Sequence, residues 1–231
     1  MNKSLLVVTL IFGIFSIMGL SLKYQKEKRK NINVKKIFIK GVFIISILIV
    51  ILNTVNPLYS YFSPAKAYFN RGTILEKKGY NDLALADFYN AIQLDVNYAE
   101  AYFNMGLIWK EKGNNDLALA DFNKAVQLDP NYAEAYFFRG VMWALKGNVD
   151  LALANFNKTV QLDPNYANAY FNMGSIWELK GNIDLALSDL NKAVQLDPYC
   201  VEAYKERGHI WGLKGDTDRA LSDLNKAAQL K

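Results

Sequence analysis

Residues 99–132 read AEAYFNMGLIWKEKGNNDLALADFNKAVQLDPNY, and residues 167–200 read ANAYFNMGSIWELKGNIDLALSDLNKAVQLDPYC. The two stretches agree at 25 of 34 positions, which points to tandem duplication of one unit. Carried along the chain, the same frame gives five units: 65–98, 99–132, 133–166, 167–200 and 201–231. Each unit holds two patterns of helical period separated by a glycine, so the spacing predicts an all-α array of helix–turn–helix repeats.

The recurring residues have physical reasons. A glycine at the eighth place (Gly72, Gly106, Gly140, Gly174, Gly208) and an alanine twelve residues on (Ala84, Ala118, Ala152, Ala186, Ala220) remove bulk where two helices must meet closely. Ala91, Ala125, Ala193 and Ala227 form a third small register, with Thr159 in the middle unit. Lys78, Lys112, Lys146, Lys180 and Lys214 fall in the last turn of each first helix, where a cation complements the helix dipole. The glycines that follow them suit a left-handed C-terminal cap, and Asp82, Asp116, Asp150, Asp184 and Asp218 are the expected N-caps of the second helices. Trp109, Trp143, Trp177 and Trp211 share one register with Leu75 and, with the tyrosines at the fourth place, are read as core.

This pattern resembles the tetratricopeptide repeat family, whose units carry Trp or Tyr, Leu-Gly, Tyr, Ala, Phe, Ala and Pro at these spacings. Arg71, Arg139 and Arg207 depart from the family's usual Leu, and Leu190 and Leu224 from its Phe. The resemblance implies a right-handed superhelical solenoid whose first helices line a concave groove that binds a segment of another protein. It also implies groove positions: Phe69, Asn70, Phe103, Asn104, Leu107, Phe137, Phe138, Val141, Phe171 and Asn172, with Ser175 and His209 further along. Members that clamp acidic tails use lysine where this chain has phenylalanine in four of five units, so an apolar or amphipathic ligand is expected. The phenylalanine ladder reads equally well as packing between repeats. Arrays of this kind usually end in an extra capping helix, and here the outer face of the last helix is expected to be uncovered, a route to homo-oligomers.

The first 64 residues differ. They hold nine Lys and Arg against one Glu, whereas the rest holds eighteen against twenty-one Asp and Glu; together these give the net charge of +5. Residues 4–22 and 37–55 are apolar runs around a basic stretch at 23–36, the pattern of a two-helix transmembrane hairpin forming a membrane anchor over 1–64. A signal peptide over 4–22 is the competing reading. By the positive-inside rule the loop stays cytoplasmic and the array is expected on the extracytoplasmic side, the alternative being the cytoplasmic face.

Because the repeats are mildly acidic, nucleic-acid binding lacks its electrostatic footprint. One His and one Cys exclude most metal and relay chemistry, and no phosphate-binding, dinucleotide or nucleophile motif is present, so neither catalysis nor a cofactor is expected. The sequence therefore predicts a membrane-anchored scaffold that recruits or assembles a membrane-associated complex through its groove. Its alternatives are a self-associating structural protein and a dedicated assembly factor for one membrane complex.

Overall fold

The computed structural model describes residues 63–230. Among them ten helices follow one another: α1 (Pro64–Lys77), α2 (Asn81–Leu94), α3 (Ala99–Glu111), α4 (Asn115–Leu128), α5 (Ala133–Leu145), α6 (Val149–Leu162), α7 (Ala167–Leu179), α8 (Ile183–Leu196), α9 (Val201–Leu213) and α10 (Thr217–Gln229). Each odd-numbered helix packs on the even-numbered helix after it, and that one packs on the first helix of the next unit. The result is the expected all-α solenoid of helix–turn–helix repeats.

The turn within each unit is set by one backbone angle. Gly113 has φ of 75°, a left-handed conformation that side chains disfavour. Its N–H donates to the Lys110 carbonyl (3.0 Å), and the Asn114 N–H donates to the Trp109 carbonyl (2.8 Å). This is a Schellman cap, and the other four units repeat it. The chain then re-enters a helix almost at once, which corrects the expected N-cap. The caps are Asn114, Asn148, Asn182 and Asp216, whose side chains accept from Leu117, Leu151, Leu185 and Arg219 N–H. The aspartates two residues on lie inside the helix and turn sideways. Lys112, Lys146, Lys180 and Lys214 reach back to Asp82, Asp116, Asp150 and Asp184 of the preceding unit at 2.5–2.9 Å.

Small residues bring the helix pairs together. A Cβ built on Gly140 would lie 2.8 Å from the Phe156 ring, and one on Gly106 2.7 Å from Phe122. Phe88, Phe122 and Phe156 are fully buried under these glycines. The junction between units is equally regular. Ala101 and Ile108 join a cluster with Ala84, Phe88 and Ala91 of the unit before, and Ala135 with Met142, Ala169 with Ile176, and Ala203 with Ile210 repeat the arrangement. The tryptophans, expected in the core, are half-buried and pack against the outside of these clusters.

The expected integral-membrane localisation is corrected. Each helix has 13 or 14 residues, about 20 Å of rise against the ~30 Å of a hydrocarbon layer. Among the described residues no helix is long and apolar enough to cross a membrane. The segments 4–22 and 37–55 and the basic stretch 23–36 lie outside the described residues, and with them the proposed hairpin and the side of the membrane assigned to the array.

Candidate functional site

The fifth-place phenylalanines lie at the seam inside each unit. Phe103 and Phe137 are buried, while Phe69 and Phe171 are half-buried. Each of the first three touches the same two rings of its own unit. Phe137 lies 5.6 Å from Phe156 and 4.8 Å from Tyr166; Phe103 has Phe122 and Tyr132 at 5.8 and 4.8 Å; Phe69 has Phe88 and Tyr98 at 5.6 and 4.8 Å. In the fourth unit Leu190 and Cys200 stand in place of those two rings, and Phe171 packs on the cluster around Leu190. Burial holds the Tyr132 and Tyr166 hydroxyls above the usual tyrosine range, which keeps both rings neutral.

What a ligand can reach lies one and four residues further along each first helix. Phe138 is half-buried, its ring resting on Phe137 (5.2 Å), Phe103 and Phe122 (5.8 Å each), with the Lys110 ammonium 5.4 Å above it. Leu107 and Val141, also half-buried, pack on the same cluster. Contacts between units show that these registers share one face. Lys110 reaches Phe138, Ser175 Oγ donates to Glu206 Oε2 (2.8 Å), and His209 Nδ1 stands 3.0 Å from Glu178 Oε1. The face is therefore apolar at Leu107, Phe138 and Val141, with Asn104 and Lys110 beside them, and carries Glu178 and Glu206 over the fourth and fifth units. Asn70 is exposed and Asn104 half-buried; Asn172 is half-buried, with one amide hydrogen donated to the Asn168 carbonyl at 2.7 Å. Burial raises the Glu206 carboxyl, with the neighbouring Glu178 adding to the shift and the Ser175 hydroxyl opposing it.

A second set of residues emerges only in three dimensions. Arg207 donates through Nε and Nη2 to both oxygens of buried Asp223 (2.7 and 2.6 Å) and through Nη1 to Asn191 of the preceding unit (2.9 Å). Arg139 donates through Nε alone to the Asn155 amide oxygen (2.6 Å) and through Nη1 to Asn123 of the preceding unit (3.4 Å), and Arg71 grips both oxygens of Asp87. The units between carry Met105 and Met173 at this register, so among the described residues no guanidinium grips Asp121 or Asp189. Burial pushes the Asp121 carboxyl to about 7 and that of Asp189 to about 6, the latter eased by a hydrogen bond from Trp177. The sequence signal was an Arg–Met alternation at the seventh place with Asp or Asn sixteen residues later.

Indentations of the surface lie along the loops, beside Lys180, Asp184 and Lys214, and at the α9–α10 edge, beside Arg207 and Arg219. Among the described residues no group of three or more His, Cys, Asp or Glu could hold a metal ion. Cys200 is half-buried and its thiol is raised, first by burial, away from the thiolate a nucleophile needs.

Comparison with known proteins fits this geometry. Tetratricopeptide repeat family models match residues 65–98, 99–132 and 167–200, and a TPR repeat model matches 144–178, together more than half of the chain. No curated protein matches. Among solved structures, MamA is 26% identical, with 69% of this chain and 93% of that one aligned at a TM-score of 0.63. YrrB, described as a TPR protein with an unusual peptide-binding site, is 25% identical over 77% of this chain and 91% of its own, at 0.61. MamA from Desulfovibrio magneticus RS-1, 24% identical over 73% and 95% at 0.65, shares the fold.

Proposed function

This chain belongs to the tetratricopeptide repeat family, and from that premise we propose that it is a non-enzymatic scaffold that binds an apolar or amphipathic segment of another protein along the face of its first helices. The observation that carries this reading is the half-buried strip of Leu107, Phe138 and Val141, which rests on a fully packed aromatic floor. A rigid floor fixes the side chains above it before a ligand arrives, so little side-chain entropy is lost on binding. Half-buried aromatic anchors of this kind are where interface energy concentrates. Asn104 and Asn172 flank the strip with amide donors and acceptors that can meet a ligand backbone. Phe103 and Phe137 belong to the floor, and their part in binding is to hold Phe138 in place. Capturing partners in this way suits a protein that recruits or assembles a complex.

The test is selection of peptides from a displayed random library on the full chain. Enriched peptides should carry apolar residues at helical or alternate spacing, and Phe138→Ala with Val141→Ser should reduce their binding at least tenfold while leaving the helical signal intact. Enrichment of acidic peptides, or binding unaffected by the double change, would overturn the proposal.

A further inference from the structure

A surface separate from the first-helix face points to another partner. We propose that the array stacks head to tail on a second copy of itself, the outer face of α10 receiving the outer face of α1 in the register used at its own internal junctions.

Those junctions supply the template. At each of the four, place ten of the incoming first helix is buried: Ile108, Met142, Ile176 and Ile210 are 0–5% exposed. Its equivalent in the first unit, Ile74, is 54% exposed. On the receiving side Leu119, Leu153 and Leu187 are 6–8% exposed, whereas Leu221 at the same register of α10 is 54% exposed. Leu224 is exposed where Phe88, Phe122, Phe156 and Leu190 are fully buried. The two ends of the array thus carry the two halves of one junction, with Ile74, Leu221 and Leu224 exposed and uncovered by any other of the described residues.

The polar fringe matches as well. Every internal junction sets a lysine of the incoming unit on an aspartate of the unit before, and two of them add an arginine on an asparagine. At the open ends the donors and acceptors are segregated. Lys78 and Arg71 stand on α1 and its cap; Asp218 and Asn225 stand on α10. Asp218 and Asn225 are exposed and take no such partner among the described residues. Arg71 spends Nε and Nη2 on Asp87, leaving the Nη1 that Arg207 gives to a neighbouring unit; its side chain is 61% exposed against 17% for Arg207. Head-to-tail stacking would put Lys78 on Asp218 and Arg71 on Asn225. Stacking like faces would oppose Asp218 to Asp218 or Lys78 to Lys78 and leave the complementary groups unused. Because the contact joins different faces, it propagates into a ring or filament and does not stop at a two-fold dimer.

The experiment uses the full chain with Cys200→Ser, one preparation carrying Lys78→Cys and another Asp218→Cys, treated with a short bis-maleimide. An internal pair, Asp116→Cys with Lys146→Cys, calibrates reaction at a junction. The mixture should give cross-linked dimer in a yield that rises with concentration, and neither preparation should do so alone. In sedimentation, Asp218→Lys should hold the chain monomeric, and adding Lys78→Asp should restore association. Dimer from the Asp218→Cys preparation alone would mean like faces meet. A mixture that stays monomeric while the internal pair reacts would mean the ends do not meet at all. Either result overturns the proposal.

Discussion

Replacing Asp121 by Asn should make the array more stable at pH 8 and leave it unchanged near pH 4. Asp121 occupies the register at which Asp87 and Asp223 are each gripped by an arginine, but Met105 stands where its arginine would be. With burial alone acting on it, its carboxyl titrates at about 7, against an ordinary value near 3.8. The folded state thus holds a proton that the unfolded chain has released across that window. Stability contributed by the protonated form is fully present below about pH 4 and is lost as pH rises to about 7. Three pH units correspond to at most about 4 kcal/mol; with the carboxyl partly wet, about 1–2 kcal/mol is expected. Asn155 shows that the amide is accommodated: its Nδ2 donates to the Leu151 carbonyl at 2.7 Å. At about 2–4 °C per kcal/mol, the variant should melt about 2–8 °C higher at pH 8. Thermal melts followed by circular dichroism from pH 4 to 8.5 measure it. A shift of equal size at every pH, or a destabilised variant at pH 8, would refute the reasoning.

Two further substitutions probe the packing and the buried pairs. Gly140→Ala places a Cβ against the buried Phe156 ring and should cost about 1–3 kcal/mol in chemical denaturation; an unchanged midpoint would mean the helices are free to part. Arg207→Met leaves the Asp223 carboxylate buried without its two charge-assisted bonds and should cost about 2–4 kcal/mol, most of it recovered by adding Asp223→Asn. Equal losses in the single and double variants would show that Asp223 does not depend on Arg207.

The repeat, its helix pairs and its close-packing glycines were legible because a residue type recurring every 34 positions exposes its own constraint. The caps were misplaced by two residues because Asn or Asp at the sixteenth place and Asp at the eighteenth are both good cap chemistry. Only the left-handed glycine just before them decides between the two. The phenylalanine ladder was ambiguous for a related reason. Phe69, Phe103 and Phe137 occur with Phe and Tyr nineteen and twenty-nine residues later, whereas Phe171 has Leu190 and Cys200 at those places. That co-occurrence marks a packed triplet, but it can be recognised only once the three registers are known to meet. Phe138 escaped emphasis because it breaks the repeat, standing where Asn70, Asn104 and Asn172 stand, and a departure from period carries no packing signature. The membrane expectation came from apolar runs outside the described residues, whereas the described helices are too short to cross.

The central claim is that the first-helix face, centred on Phe138, meets a partner protein. A photo-reactive amino acid placed at 138 in the full chain, in its own cells, tests this most directly when compared with the same group at exposed Gln161 on α6. The account predicts a discrete adduct with another protein from position 138 and none from 161. Position 138 giving no protein adduct, or both positions giving the same ones, would contradict it.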